Sequence, residues 1–269
     1  AVGGNEGVGR VLAVGPDTQG PAIGQTVLLP VGCGTWSTHV LADAKSLMPL
    51  PNDADPLQLA MMTVNPPTAL LMLREFVDLQ PGEWVIQNAA NSGVGAYLIQ
   101  LAKVRGLKTV NVVRRESAVA GVRETGGDVV LVDAPDLAKR VREATGGAAI
   151  RLGIDAVGGA GTDHLAMSLT EGGVLVNYGA MSGEPCQVSP ASFVFRNITL
   201  RGFWLSKWFI GTTPAQRIAV FGEVATLIAT GKLKSRIQAT YGIDQIKQAV
   251  AAAAAGERNG KILLVPNAQ

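Results

Sequence analysis

Between residues 84 and 178 the chain alternates short apolar, β-branched runs with longer stretches of helical periodicity, and this rhythm limits the possible folds more than any other feature. The apolar runs are 84–87, 109–113, 129–132, 152–157 and 174–178; between them lie 94–105, a stretch ending at Thr125, 136–145 and 162–169. Glycines fall where these helices should stop, at Gly106, Gly126, Gly127, Gly146, Gly147, Gly172 and Gly173, as expected of residues that close a helix in the left-handed region. Strands that read as continuous apolar runs are buried on both faces, and a helix between each pair makes them parallel. The expected fold class is therefore α/β, a doubly wound parallel sheet of Rossmann type.

The flanks read differently. Over residues 1–50, short strands at 8–14, 26–29 and 36–41 are broken by glycine and proline, a pattern that suggests part of a small β-barrel. A helical stretch, 56–76, leads through a Pro81-Gly82 turn into the first buried strand. After the alternating region, 214–231 reads as one amphipathic helix with Pro214 at its start and Gly231 at its end. A short alanine-rich helix is expected around 249–255, and Lys261 precedes a final strand, 262–265.

Composition removes several function classes. The net charge is +2, with no dense lysine or arginine block and no basic stripe interleaved with aromatics, so nucleic acid is not an expected partner. No apolar run reaches the length of a membrane span, and no signal segment is visible, so a membrane or secreted location is not expected. Glycine accounts for 33 of 269 residues, well above the usual ~7%, which points to many tight turns and close backbone approaches. Cys33 and Cys186 lie far apart and only two histidines are present. Such a set supplies neither a disulfide framework nor the clustered Cys and His ligands of a zinc site. His39 and His164 are read as surface or packing residues, and no metal is expected.

The most informative segment is Gln87-Asn88-Ala89-Ala90-Asn91-Ser92-Gly93-Val94-Gly95, which leaves a strand and opens a helix. Val94, Tyr97, Leu98, Leu101 and Ala102 recur at the spacing of one helix face. That face packs on the sheet and leaves the helix N-terminus, with its unpaired N–H groups and positive dipole end, open to a pyrophosphate. Against the dinucleotide fingerprint Gly-x-Gly-x-x-Gly, the first two glycine places hold Ala90 and Ser92, and the third is Gly95. The same residues also suit an ordinary βα turn; the strand–loop–helix setting and the βα rhythm favour cofactor binding. At the end of the second strand an acidic residue would select the free ribose of NAD, but Arg114 and Arg115 stand there. A guanidinium fork suits a 2′-phosphate, so NADPH is favoured, with surface decoration as the alternative.

These residues carry a resemblance. Asn5-Glu6-Gly7-Val8-Gly9, the Ala-x-Ser-Gly-Val-Gly loop and Gly158-Gly159 after Asp155 resemble the zinc-free medium-chain dehydrogenase/reductases over the whole chain. Val64-Asn65-Pro66-Pro67-Thr68-Ala69, Asn111-Val112-Val113-Arg114 and Arg201-Gly202-Phe203-Trp204-Leu205-Ser206-Lys207-Trp208 are similar to the trans-2-enoyl thioester reductases of mitochondrial-type fatty acid synthesis. The resemblance implies a Rossmann domain over 58–207 and a GroES-like barrel from 1–57 with 208–269, incomplete at its start, with the active cleft between the two. It implies cofactor contacts from Asn65, from Asn91, Ser92, Gly93 and Val94 at the diphosphate, and from Arg114, Arg115 and Glu116 at the 2′-phosphate. Tyr178, Gly179, Ala180, Met181, Phe203, Trp204, Leu205, Ser206 and Lys261 complete the implied set. For Phe203 and Trp204, core or dimer-interface packing is an equal alternative.

The implied reaction is reduction of the 2,3-double bond of an enoyl thioester carried by coenzyme A or an acyl carrier protein. Hydride is delivered to the β-carbon and a proton to the α-carbon, and donors are needed at the thioester oxygen. In the family a tyrosine assists; its place lies upstream of the Ala1–Glu6 motif, and the first tyrosine here is Tyr97. The expectation is of an N-terminally incomplete chain, inactive for want of that group, and no catalytic residue is assigned. The resemblance also implies a homodimer paired through the last strand of the nucleotide domain, 198–205, in the bacterial cytoplasm or the mitochondrial matrix. Two alternatives stay open: an NADPH:quinone oxidoreductase of the same superfamily, and a non-catalytic NADPH-binding protein.

Overall fold

The computed structural model describes residues 2–256 and 258–266. The chain divides into two compact units, residues 1–67 with 212–269, and residues 68–211.

In the first unit, strands β1 (Val8–Arg10), β2 (Thr26–Leu28) and β3 (Met48–Pro49) form an antiparallel sheet in that order. Expected strands at 8–14 and 36–41 are corrected here: the first ends at Arg10, and Trp36 to Leu41 form no strand. Trp36 instead lies over Gly3 and Gly4, where an added Cβ would come within 2.6 Å of its ring. Gly4 also has a φ of 94°, so glycine is required there twice over.

Helix α1 (Pro56–Leu59) is capped by Asp55, whose Oδ1 accepts the Leu57 N–H at 2.9 Å. The expected single helix over 56–76 is broken: α2 (Asn65–Arg74) starts afresh after a non-helical link. Pro66 and Pro67 explain the break, since proline lacks the N–H that a helix interior needs and is tolerated only in the first turn.

The second unit is a parallel sheet with helices on both faces. Its elements are β4 (Trp84–Gln87), α3 (Gly93–Val104), β5 (Lys108–Val113), α4 (Val119–Glu124), β6 (Val129–Val132), α5 (Leu137–Thr145), β7 (Ile150–Asp155) and α6 (Ala160–Ser168). They continue as β8 (Val174–Asn177), α7 (Pro190–Arg196), β9 (Thr199–Gly202) and α8 (Leu205–Gly211). The six strands run β6-β5-β4-β7-β8-β9, all parallel. The order reverses at β4, where doubly wound sheets open a crevice beyond their C-terminal strand ends. Strand β9 is shorter than the expected 198–205, and helices α7 and α8 were not foreseen.

Two apolar layers fix the sheet. On one side Ile86, Val110, Val112, Leu137, Val141, Leu165 and Leu175 form one cluster; on the other, Ala90, Ile99, Val113, Val119, Val122 and Val130 form a second. Each fully buried aliphatic side chain contributes about 1.5–3 kcal/mol. Truncating a central one such as Ile86, which is fully buried, would cost about 2–5 kcal/mol because a cavity is left behind.

The chain then returns to the first unit through α9 (Pro214–Ala229), β10 (Ile237–Tyr241), α10 (Ile246–Ala254) and β11 (Lys261–Leu264). Helix α9 opens with a capping box between Thr213 and Gln216, which satisfies donors that helix geometry leaves unpaired. Strand β10, absent from the sequence-based expectation, pairs in parallel with β11.

Candidate functional site

Within the parallel unit, four chain segments leave the C-terminal ends of strands. They are residues 88–92 after β4, Arg114–Glu116 after β5, Tyr178–Met181 after β8, and Phe203–Ser206 after β9. Because the strands are parallel, all four emerge on one edge of the sheet, and tertiary structure thus gathers most of the residues that the resemblance implied.

The loop after β4 is built for close approach. Ser92 is the N-cap of α3: its Oγ accepts the Gly95 N–H at 3.1 Å, which leaves the other N–H groups of the first turn pointing outward. A Cβ on Gly95 would sit 2.6 Å from the Ala90 carbonyl oxygen, so the third fingerprint glycine is what lets the helix start rest on the strand end. Ala89 has a φ of 46°, a left-handed conformation that costs an L-residue about 1–2 kcal/mol and that the surrounding bonds must hold. Gln87, buried beneath, does part of this by donating to the Gly95 carbonyl at 3.1 Å and to Asn111 Oδ1 at 2.8 Å.

Around this loop the implied residues take different roles. Asn91 is exposed, and Ser92 and Gly93 are half-buried, but the Val94 side chain turns into the core, leaving its backbone to face a ligand. Arg114 is exposed at the end of β5, beside half-buried Arg115 and exposed Glu116. An exposed guanidinium next to a free helix start fits a doubly anionic ribose phosphate.

Tyr178 ties the end of β8 to the loop after β4, through a hydrogen bond between its hydroxyl and the Ser92 side chain. Burial pushes its phenol up to about 12, the Ser92 bond opposes this, and the Asp155 carboxylate adds to it. The phenol is therefore a neutral group at any physiological pH. Gly179 has no room for a side chain, since a Cβ would meet the Ala156 carbonyl oxygen at 2.9 Å; Ala180 and Met181 are exposed.

Asp155, fully buried at the end of β7, was noticed in the sequence only as a marker before Gly158. It accepts the Asn88 side-chain amide at 2.6 Å, the backbone N–H groups of Val157 at 2.8 Å and Gly158 at 3.1 Å, the Thr162 hydroxyl at 2.7 Å, and the Asn177 amide at 3.0 Å. One carboxylate thus fastens the ends of β4, β7 and β8 to the start of α6. No spacing rule reveals such a clasp, because its members are scattered from residue 88 to residue 177.

Phe203 packs edge-on against Phe76, with ring centroids 6.1 Å apart. Leu205 is buried, whereas Trp204 is 69% exposed and Ser206 is exposed. Of this group only Trp204 and Ser206 present side chains outward.

Asn65 and Lys261 belong to the other unit, where both line a cavity of about 1450 Å³ together with Glu6, Arg258, Trp36 and Met61. Glu6 Oε2 accepts the Val64 N–H at 3.0 Å. Burial raises the Glu6 carboxyl, opposed by the bonds from Val64 and Thr63 and by the Lys261 ammonium. Lys261 is lowered by burial and by Arg258, and held up by Glu6. Glu6 lay in the Asn-Glu-Gly-Val-Gly motif, but sequence reasoning gave it no role. His164 sits on α6 with its ring Nδ1 2.8 Å from Asp133 Oδ1. Among the described residues no group of three or more His, Cys, Asp or Glu side chains is placed to hold a metal ion.

Known proteins resemble the chain in the same regions. A family described as zinc-binding dehydrogenase matches residues 93–221. The mitochondrial enoyl-[acyl-carrier-protein] reductase of Caenorhabditis elegans is 38% identical over 242 residues, covering 88% of this chain and 69% of the relative. Among solved structures, the complex of Etr1p with NADP and crotonyl-CoA superposes with a TM-score of 0.86 at 26% identity, covering 94% of this chain and 78% of that one. The Etr1p/Etr2p heterodimer of Candida tropicalis gives a TM-score of 0.87 at 26% identity, covering 97% and 79%. A mycobacterial quinone oxidoreductase gives 0.86 at 26%, covering 98% and 82%.

Proposed function

The chain belongs to the enoyl thioester reductases of the medium-chain dehydrogenase/reductase superfamily, and from that premise we propose that it reduces the 2,3-double bond of trans-2-enoyl thioesters with NADPH. The observation that carries the reading is the helix start at Ser92 to Val94 beside Arg114 on the neighbouring strand end, which suits a diphosphate and a 2′-phosphate together. Asn91, Ser92, Gly93 and Val94 hold the diphosphate, with Val94 contributing its backbone. Arg114 and Arg115, with Glu116 beside them, receive the phosphorylated ribose. Tyr178 fixes the loop, Gly179 keeps the backbone close, and Ala180, Met181, Phe203, Trp204, Leu205 and Ser206 border the remainder. Asn65 and Lys261, which line a cavity of the first unit, are included in this reading on the family resemblance. The bound cofactor supplies the hydride; the residues of the chain bind, orient and exclude water.

The test is NADPH oxidation driven by crotonyl-CoA, compared with oxidation driven by a benzoquinone. Turnover of the thioester alone supports the reading. Turnover of the quinone alone favours a quinone oxidoreductase, which the likeness to the mycobacterial enzyme makes the second reading. NADPH binding with neither turnover, also in a form that carries the family's tyrosine, would point to a binding protein.

Two finer points belong to the same proposal. The acyl carrier is coenzyme A or an acyl carrier protein, and the compartment is the mitochondrial matrix or a bacterial cytoplasm, in keeping with the relative's mitochondrial name. The assembly is a homodimer joined through β9, which among the described residues pairs with β8 alone and follows α7 in the chain, whose Phe193, Val194 and Phe195 are exposed. Thr199 and Phe203 donate their N–H groups to the carbonyls of Gly173, just before β8, and Asn177, at its end, so those of Leu200 and Gly202 face the open edge. Gly202→Pro removes one outward donor without touching β8, and sedimentation should then show a monomer where the parent chain is a dimer.

A further inference from the structure

Glu6 reaches across the smaller unit to a place where backbone donors are scarce. Helix α2 begins at Asn65, and its next two residues are prolines without N–H groups. Two donors just before this helix start are taken by Glu6: Val64 N–H at 3.0 Å, and Thr63 N–H. The Thr63 side chain gives no help, since its buried hydroxyl has no partner among the described residues. A carboxylate at this end also meets the positive end of the helix dipole.

The same carboxylate lines a cavity with Lys261 and attracts its ammonium electrostatically. Lys261 opens β11, its backbone N–H donates to the Arg236 carbonyl at 2.8 Å, and its side chain shares the cavity with Glu6 and Asn65. Arg258 stands near enough to repel it. The other ionisable side chains lining the cavity are Arg10 and His39. From the elements packed on β11, α10 contributes Lys247 and β10 contributes Tyr241, with Arg236 just before it. Among the described residues that line this cavity, Glu6 is thus the acidic group sharing it with Lys261, and the others are positive or neutral.

Resting on the function proposed above, we propose that Glu6 is a positioning residue, one that fixes Asn65 at the start of α2 and keeps the Lys261 ammonium charged so that it can hold an anionic ligand group in the cavity that the three residues line. Burial disfavours the charged form of each partner, and each offsets that for the other. Without Glu6, Lys261 would face Arg258 alone and give up its proton at lower pH.

The experiment compares the parent chain with Glu6→Gln, Glu6→Asp and Lys261→Met. Lysines are reductively methylated with ¹³C-formaldehyde so that NMR follows the Lys261 titration, assigned by its loss in Lys261→Met. NADPH affinity is measured against pH in parallel. In Glu6→Gln the Lys261 midpoint should move to lower pH, and NADPH affinity at pH 9 should fall about tenfold further than in the parent. Glu6→Asp, which keeps the charge on a shorter stem, should leave the midpoint near the parent value while weakening NADPH at all pH, and it serves if Glu6→Gln does not fold. An unchanged Lys261 midpoint in folded Glu6→Gln, or a Glu6→Asp midpoint as low as that of Glu6→Gln, overturns the proposal. A parent chain that does not bind NADPH would instead sink the functional reading, while the Lys261 titration still decides the role of Glu6.

Discussion

The Tyr178 hydroxyl is hydrogen-bonded to the side chain of Ser92, so the end of one strand holds the helix cap that opens another strand's nucleotide loop. Tyr178→Phe removes that bond and should cost about 1 kcal/mol of stability at neutral pH, with NADPH affinity weakened about fivefold as the loop loosens. Its pH signature is separate. The folded phenol lies at about 12 against 10.0 for an ordinary one. As pH climbs from about 10 toward 12, the unfolded chain loses the proton while the folded chain keeps it, so stability falls by up to about 1.4 kcal/mol per pH unit. Below pH 9 this effect is nil. Urea denaturation across pH 8 to 11 should show the decline in the parent and a shallower one in Tyr178→Phe; parallel curves would refute the account.

Arg114, exposed at the end of β5, should discriminate between the two nicotinamide dinucleotides. Arg114→Ala should raise the NADPH Kd by a factor of ten or more, on the order of 1.5–3 kcal/mol for a hydrogen bond to a charged group, and leave the NADH Kd nearly unchanged. Fluorescence titration with both nucleotides checks it. Equal weakening of both would mean that the guanidinium does not meet the 2′-phosphate.

Gly95→Ala places a methyl group 2.6 Å from the Ala90 carbonyl oxygen and 2.8 Å from that of Ala89. Both obstacles are backbone, so the α3 start must move off the strand end. A loss of about 1–3 kcal/mol is expected from overpacking, together with abolished NADPH binding. A thermal melt and a binding isotherm on one preparation test both parts.

Asp155→Asn keeps shape but replaces one accepting oxygen by an NH₂ group that faces donors. With Asn88, Thr162, Asn177 and two backbone N–H groups converging on this buried side chain, the exchange leaves donors unpaired and should cost about 2–4 kcal/mol. The denaturation midpoint reports it. A variant as stable as the parent would show that the clasp is not held by charge.

Much of the parallel unit was legible in the sequence because its information is local. Strands 84–87 and 129–132 agree with the expectation to the residue, and α3, β5 and α5 within one, since a periodic or apolar run constrains its own backbone whatever its neighbours do. The small unit was less legible. Strands of two or three residues carry too little periodicity, and the run 36–41 looked like a strand though Trp36 was needed as a cover for Gly3 and Gly4. The break between α1 and α2 was overlooked although Pro66 and Pro67 signalled it.

By itself the sequence determined that a buried parallel sheet must form, where β4, β5 and β6 end, and that a helix start with small residues and a following arginine stand at such ends. Tertiary structure alone decided which polar groups meet: Asp155 with Asn88, Thr162 and Asn177, Tyr178 with Ser92, Glu6 with Val64 and Lys261. The division follows from range. Periodicity acts through bonds a few residues apart, whereas a buried hydrogen bond depends on which distant backbones the core has already brought into register.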